Sequence, residues 1–394
     1  MMNTERAESL VYLLKIGGLW INFTNHQFGS LIAVFQIFRL IYLVVGWFLM
    51  INVIFLKGVK FLLTPSAVFI PLGFNVVGTS VLYFCKIRMM EKLILQCDKN
   101  LSSYNEHWEK KLIQTDTEKV KYIANCFSYG LTCFGIVYTI MHVIVNIVRS
   151  ITGNPERYTV PLPFDGYLDD TKERNFNFYI YTLLSDLWLA FGVPNTVAFQ
   201  CTIFYVVSCT TTEINIIKEY LRILQIGQNN NATILPDWNL NQIILKHGQI
   251  LRFNDLQNQS IALPTLVQCR IIFTLSICFV MFLILQLFGK NTFVMLLAAV
   301  FILILFALGL VLCSAGEYLE EKSDELFYAV CSLPWYKQSL TLQKSYFLLL
   351  LQTSKTLVFD YAFTSSLNLR CYMALVNNAF SYLMIMKSLS PADE

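Results

Sequence analysis

Charge is scarce in this chain. Asp, Glu, Lys and Arg make up 14% of its 394 residues, where soluble domains carry about 25%. The net charge of +3 offers no basic surface for nucleic acid and too little repulsion for a disordered chain. Covalent staples are missing as well. The eleven cysteines are an odd number, run from Cys85 to Cys371 without a CxxC pair, and fall in or beside apolar runs, where Cys acts as a small buried hydrophobe. His26, His107, His142 and His247 lie far apart, with no H-E-x-x-H motif and no Cys/His cluster. There is no phosphate-cradling Gly-rich loop and no nucleophile elbow. No metal, cofactor or catalytic residue is therefore expected. Residues 1–30 carry Glu5, Glu8, Gly17, Gly18 and Asn22 without a small-residue cleavage site, so no signal peptide is expected either.

What the chain has instead is apolar length. Hydrophobic residues make up 56%, and the 31 Phe outnumber Lys and Arg together at 29; mean hydropathy is +0.54. An integral membrane protein follows. A bilayer core of about 30 Å needs roughly 20 apolar residues per helix, and seven stretches meet that length: 31–56, 59–84, 126–149, 178–208, 261–288, 292–313 and 363–389. The expected fold class is an all-α membrane protein with seven transmembrane helices. Its segments are a cytoplasmic piece at 1–30, spans one to four at 31–208, a cytoplasmic helical extension at 209–260, spans five and six at 261–313, cytoplasmic anchor helices at 314–362, and span seven with an extracellular C-terminus at 363–394.

Lys and Arg decide the orientation. Segments 1–30, 85–125, 209–260 and 314–362 carry 18 basic residues, against 7 in the opposite set. That bias puts the N-terminus in the cytoplasm and the C-terminus outside. The N-x-S/T patterns at Asn22, Asn100, Asn231 and Asn258 all fall on the cytoplasmic side, so none should be glycosylated. A G-protein-coupled receptor has the reverse orientation. Its acidic-Arg-Tyr signature is replaced here by Arg149-Ser150-Ile151-Thr152, and no Asn-Pro-x-x-Tyr ends span seven.

The polar stretches are patterned as helices. After span four, Ile214, Ile217, Tyr220, Leu221 and Leu224 recur between Glu213, Lys218, Glu219 and Arg222, the period of an amphipathic helix leaving the membrane. Leu240, Ile243, Ile244, His247, Ile250, Leu251 and Leu256 restart the pattern after residues 226–237. Span six runs on through Tyr318, Leu319, Leu326, Phe327 and Val330 to Pro334, and 338–355 give a further helix from Leu340 to Thr353. Apolar stripes outside the membrane must be covered, either by packing within one subunit or by subunits meeting below the membrane. His247 reads as a packed, hydrogen-bonded structural histidine.

Span seven differs from the others. Asn378, Ser381, Ile385, Ser388 and Leu389 fall on one helical face. Polar residues inside a span face protein or water. A stripe polar at mid-membrane and apolar at its outer end suits a water-filled pore closed by a hydrophobic gate. Hydrogen bonding of Asn378 and Ser381 across a helix–helix contact is the other reading of the same stripe.

Four blocks resemble the insect odorant receptor family: Leu162-Pro163-Phe164 with Tyr167; His247 through Leu256 leading into span five; Gly316-Glu317, Ser323, Leu326, Ala329-Val330 and Trp335-Tyr336 before span seven; and Ser381-Tyr382 near its end. Gustatory receptors end span seven in Thr-Tyr, five apolar residues and Gln-Phe, from which Ser381-Tyr382 and Ser388-Leu389 depart. The shared co-receptor carries a longer insertion between spans four and five. The resemblance thus implies an odorant-specific tuning subunit of a four-subunit, non-selective cation channel. It would work with the co-receptor as a heterotetramer in the plasma membrane of olfactory neuron dendrites, without a G protein or nucleic acid. It further implies that span seven lines the pore, with Ile385 and Leu389 at the gate and Ser388 beside them. Lys387 departs from an apolar residue of the co-receptor and suits snorkelling to outer headgroups.

The same resemblance places a small volatile ligand among the outer halves of spans two, three, four and six. Candidates there are Phe69, Gly73, Phe74, Tyr138, Met141, His142, Tyr181, Ser185, Phe293 and Met295, an apolar, aromatic and Met-lined set suited to an ester, alcohol or terpene. A gustatory-type channel subunit that assembles as a homotetramer shares fold and topology and stands as the alternative. A membrane enzyme or transporter would need mid-span carboxylates or inverted repeats; Asp186 alone does not make a relay.

Overall fold

The structure, a computed structural model, describes residues 14, 29–57, 69–151, 176–229, 240–266, 268, 274, 276–277, 280–281, 292–337, 339–359 and 366–389. The helices bounded among these residues are α1 (Gly29–Lys57), α2 (Phe69–Cys85), α3 (Ile87–Ser102), α4 (His107–Ile151), α5 (Phe176–Asn229), α6 (Leu240–Leu266), α7 (Thr292–Cys331), α8 (Leu340–Thr353) and α9 (Leu369–Leu389), with a 3-10 turn at Trp335–Lys337. No strand occurs among the described residues. Among them, Val34–Lys57 and Phe176–Gln225 are long and apolar enough to cross a membrane, with mean hydropathies of 2.2 and 1.3, and Gly73–Cys85 is a shorter apolar helix.

The patterned stretches fold as their periodicity demands. In α3, Met90, Leu93, Ile94, Cys97 and Leu101 recur at three- and four-residue steps and are all buried. Ile214, Ile217, Tyr220, Leu221 and Leu224 of α5 join them, with Ile243, Ile250 and Phe253 of α6, Leu319, Leu326 and Val330 of α7, and Tyr346 and Leu349 of α8. This large core gathers at one end of the bundle, here the extension end. A smaller cluster at the other end, the span end, joins Leu43 and Met50 of α1, Val76 and Val77 of α2, and Phe178, Trp188 and Leu189 of α5. Tyr318 departs from its expected stripe: it is exposed, with the Lys322 ammonium 5.3 Å from its ring centroid.

Local chemistry sets the helix starts. Glu109, three residues into α4, accepts the Glu106 backbone N–H at 2.8 Å, the reciprocal half of a capping box. The last helix begins later than its apolar run. Residues 366–368 are not helical, because the Leu367 N–H pairs with the Phe359 carbonyl at 2.9 Å and Asn368 Oδ1 accepts the Cys371 N–H at 3.0 Å as an N-cap. The expected span at 363–389 is thereby corrected to a helix from Leu369, with 360–365 outside the described residues. Residues 59–68 of the expected second span also lie outside them, as does the loop holding Leu162-Pro163-Phe164 and Tyr167.

Candidate functional site

The base of α9 is tied to α7 by side-chain hydrogen bonds. The Leu369 N–H reaches Glu317 Oε2 at 3.1 Å, and the Asn368 amide bonds both Glu320 oxygens at 3.3 Å. Before it, residues 356–359 form a strap laid between α6 and α7. Ser323 Oγ accepts the Leu357 N–H at 2.9 Å, Thr356 donates to Asp324 at 2.9 Å, and the Asn254 and Asn258 amides donate to the Val358 carbonyl at 3.3 and 3.1 Å. Gly316 lets α7 touch this joint directly. A Cβ built there would lie 1.7 Å from the Leu367 carbonyl oxygen, so no side chain fits. Tyr346 of α8 donates to the Val330 carbonyl, and Trp335 stacks on Tyr346 with centroids 6.3 Å apart. Thus Asn254, Gly316, Glu317 and Ser323, scattered through two of the sequence blocks, meet around the strap and the base of α9, while Val330 and Trp335 hold α8 farther along α7.

Above that joint, α9 has two faces. Cys371, Leu375, Ala379 and Leu383 are buried against the rest of the chain. Asn378, Ser381, Ile385 and Ser388 are exposed on another face of the protomer, Ile385 by 54%. Ser381 and Ser388 turn their hydroxyls back to the Asn377 and Ile385 carbonyls, at 3.0 and 2.8 Å, which satisfies the donors without a second helix. The Leu389 backbone closes the helix, and its side chain lies outside the described set.

Of the pocket candidates, the structure brings Gly73, Phe74, Tyr181 and Ser185 into the small core at the span end. Trp188 fills its centre, 1% exposed, and donates its indole N–H to the Leu43 carbonyl at 3.1 Å. It fits because Gly46 faces it: a Cβ there would come within 2.6 Å of the indole. Trp47 lies over Gly73 in the same way, at 2.7 Å, and packs on Phe74 with centroids 5.3 Å apart. Ser185 is fully buried and donates to the Tyr181 carbonyl at 2.8 Å. The space beside Gly73 is thus occupied by two indoles. The side chains of Phe69, Tyr138, Met141, His142, Phe293 and Met295 lie outside the described set.

Closer to the extension end, Gln36, Arg39, Ser80 and Asn195 line a cavity of about 20 Å³ with Leu40, Leu43, Tyr83, Phe84 and Ile87, room for about one water. Asn195 Oδ1 is buried there without a partner, while its amide nitrogen donates to Ser80 Oγ at 2.6 Å. Arg39 is 4% exposed and donates to the Phe191 carbonyl.

The extension core buries ionisable groups of its own. Burial raises the Glu213 carboxyl to about 7, partly offset by the hydrogen bond from Asn100, at 2.9 Å, and by the charge of Lys246. Burial also raises the Tyr104 and Tyr220 phenols, helped by nearby carboxylates, and Tyr220 donates to Glu109. His247 is buried, which lowers its pKa, with the Gln352 side chain acting the other way. Its Nδ1 lacks a hydrogen-bond partner, so the imidazole is packed but less fully bonded than expected. Among the described residues, none of the nine cysteines forms a disulfide and no cluster of His, Cys, Asp and Glu could hold a metal.

The chain is similar in fold to two solved structures of an insect olfactory receptor, OR5 from Machilis hrabei. One, in complex with eugenol, aligns at a TM-score of 0.78 with 11% identity over 98% of each chain. The other aligns at 0.67 with 12% identity over 98% of this chain and 97% of that one. No curated protein matches in sequence. The family model described as 7tm Odorant receptor matches residues 74–380, which takes in three of the four sequence blocks, the joint below α9 and that helix as far as Phe380, with Asn378 of its open face. The chain therefore belongs to the odorant receptor family, whose members are ligand-gated ion-channel receptors of the membrane and not enzymes.

Proposed function

We propose that this chain is the odorant-specific subunit of a heteromeric odorant-gated, non-selective cation channel, paired with the family's co-receptor in the plasma membrane of olfactory neurons. Seven spans with a cytoplasmic N-terminus follow from the apolar runs and the basic bias of 18 to 7. The extension end is then cytoplasmic, and the Trp188 cluster lies toward the outer side.

One observation carries this reading. A single helix, α9, leaves Asn378, Ser381, Ile385 and Ser388 uncovered in the protomer while its other face and its base are tied to the chain. Four such faces around an axis would line a conduit wetted by amide and hydroxyl groups, with Ile385 and Leu389 forming an apolar constriction that empties of water when narrow. The exposed apolar side of α8, with Leu340, Phe347 and Leu351, gives subunits a surface to meet on beneath the membrane. The ligand would enter the outer half among spans two, three, four and six, where Phe74, Tyr181 and Ser185 stand beside the Trp47–Trp188 pair. Gating is then a population shift, because the ligand binds one arrangement of these helices better than the other.

The test is whole-cell current from cells expressing this chain with and without a co-receptor, during pulses of a volatile panel that includes eugenol, with G-protein signalling blocked. A fast cation current that requires both chains supports the proposal. Current from this chain alone would replace it with a self-assembling channel, and a response lost under the block would overturn the channel mechanism.

A further inference from the structure

Between the Trp188 cluster and the extension core lies a buried arginine that no part of this reading uses. Arg39 sits ten residues into α1, about 15 Å along the helix at 1.5 Å per residue, at a depth where a cation is expensive and marks function by default. Its contacts are specific. The guanidinium donates to the backbone carbonyl of Phe191 and lies 5.1 Å from the centroid of the same residue's ring. Three residues on, Pro194 lies inside the continuous helix α5. Proline has no N–H, so the Ala190 carbonyl loses its helical donor and the turn from 190 to 194 is weakened. Arg39 takes the adjacent carbonyl of that same turn.

The neighbouring contacts fasten the same stretch. One turn along α1 from Arg39, the Tyr42 hydroxyl donates to the Leu184 carbonyl at 2.6 Å, and its ring meets Phe191 edge-on. Trp188 returns a bond to α1, and on the other flank Asn195 reaches Ser80 of α2. The weakened turn is thus held between two helices, directly below Ser185 and Trp188.

We infer that Arg39 is a positioning residue for gating: it fixes the Pro194 turn of α5 against α1, so that a displacement at the Ser185–Trp188 level is passed down α5 instead of being absorbed at the turn. This rests on the ligand-gated channel reading. On that reading the ligand binds at the Ser185–Trp188 level and not at Arg39 or Pro194, so losing the contact lowers efficacy more than affinity.

The experiment compares wild type, Arg39→Met, Arg39→Lys, Pro194→Ala and the Arg39→Met/Pro194→Ala double variant, each with the co-receptor and normalised to surface-biotinylated receptor. The agonist is whichever panel volatile activates the wild type. Arg39→Met is expected to cut maximal current about tenfold while the half-maximal concentration moves less than about threefold, within the usual range of coupling energies. Arg39→Lys keeps the charge but not the planar guanidinium and restores only part of the current. Pro194→Ala restores the helical N–H, which removes the need for the clamp, so the double variant regains current over Arg39→Met. Should Arg39→Met fail to reach the surface, the comparison of Arg39→Lys with Arg39→Lys/Pro194→Ala decides, with recovery expected. Undiminished maximal current in Arg39→Met, or no recovery when proline is removed, overturns the inference while the channel reading stands. A wild type silent to every volatile overturns both.

Discussion

Replacing Glu213 by Gln should make the receptor more heat-stable, and by an amount that depends on pH. Glu213 is buried in the extension core, and its carboxyl titrates at about 7 instead of 4.5, chiefly because burial penalises the charged form. The sign follows from linkage. The folded state holds the proton more tightly than the unfolded chain, so this group's contribution is fully present below about 4.5, is lost as pH rises toward 7, and stays lost above it. A pKa displaced by one pH unit corresponds to about 1.4 kcal/mol, so the penalty at pH 8 is roughly 3 kcal/mol. Gln keeps an acceptor for the Asn100 amide, which now bonds Glu213 at 2.9 Å, and never ionises. With an unfolding entropy of about 2 cal/mol/K per residue, 3 kcal/mol raises the Tm by roughly 4 °C. The assay is thermal loss of monodisperse, detergent-solubilised receptor at pH 5, 6.5 and 8. The variant should gain most at pH 8 and little at pH 5. A variant that melts at or below wild type at pH 8, or a gain independent of pH, refutes the reasoning.

Three further outcomes are expected. Gly316→Ala forces a methyl group onto the Leu367 carbonyl, 1.7 Å from where its Cβ would sit, so it should cost at least about 1–3 kcal/mol as overpacking and depress agonist-evoked current at equal surface expression. Ile385→Ser places a hydroxyl on the exposed face of α9 at the apolar end, where it should wet the constriction; constitutive current without ligand is the readout, and an unchanged basal current counts against that face lining the pore. Ser323→Ala leaves the Leu357 N–H, now bonded at 2.9 Å, buried without an acceptor; a loss of about 1–3 kcal/mol is expected, checked by the same melting assay.

Much of this architecture is written in the periodicity of the chain. Ile214, Ile217, Tyr220, Leu221 and Leu224 are buried as their spacing implies, and α8 spans Leu340–Thr353 as its apolar pattern does. Periodicity reports which face of a helix is apolar, and little else. It continues span seven back to 363 because Phe363 and Leu367 are apolar, whereas Asn368, a capping residue three positions before Cys371, is the signal that the helix starts later. It also offers Gly73 and Ser185 as pocket candidates without revealing that Trp188, distant in sequence, fills the space between Gly46 and Gly73. In the sequence, Arg39 is a charge that a topology count omits. Its role comes from Phe191 and Pro194, more than 150 positions away, a pairing only the fold brings about. The blocks containing Asn254 and Ser323 are legible as family-like, but not as two sides of the strap that leads to α9.

The 54 residues of α5 make a rod of about 81 Å at 1.5 Å per residue. Pro194 divides it unequally, with about 27 Å toward the Phe176 tip and about 52 Å toward the Asn229 tip. Such a rod is a lever that amplifies displacement about twofold from its short arm to its long one. If it pivots as a rigid body at the proline, a tilt of about 5° moves the short arm's tip by roughly 2 Å and the long arm's tip by roughly 4.5 Å. The long arm is the one embedded among α3, α6 and α7. A ligand that shifts the short arm by less than the width of a methyl group can therefore displace the opposite end by most of a helical turn's pitch, which is enough to repack a helix seam.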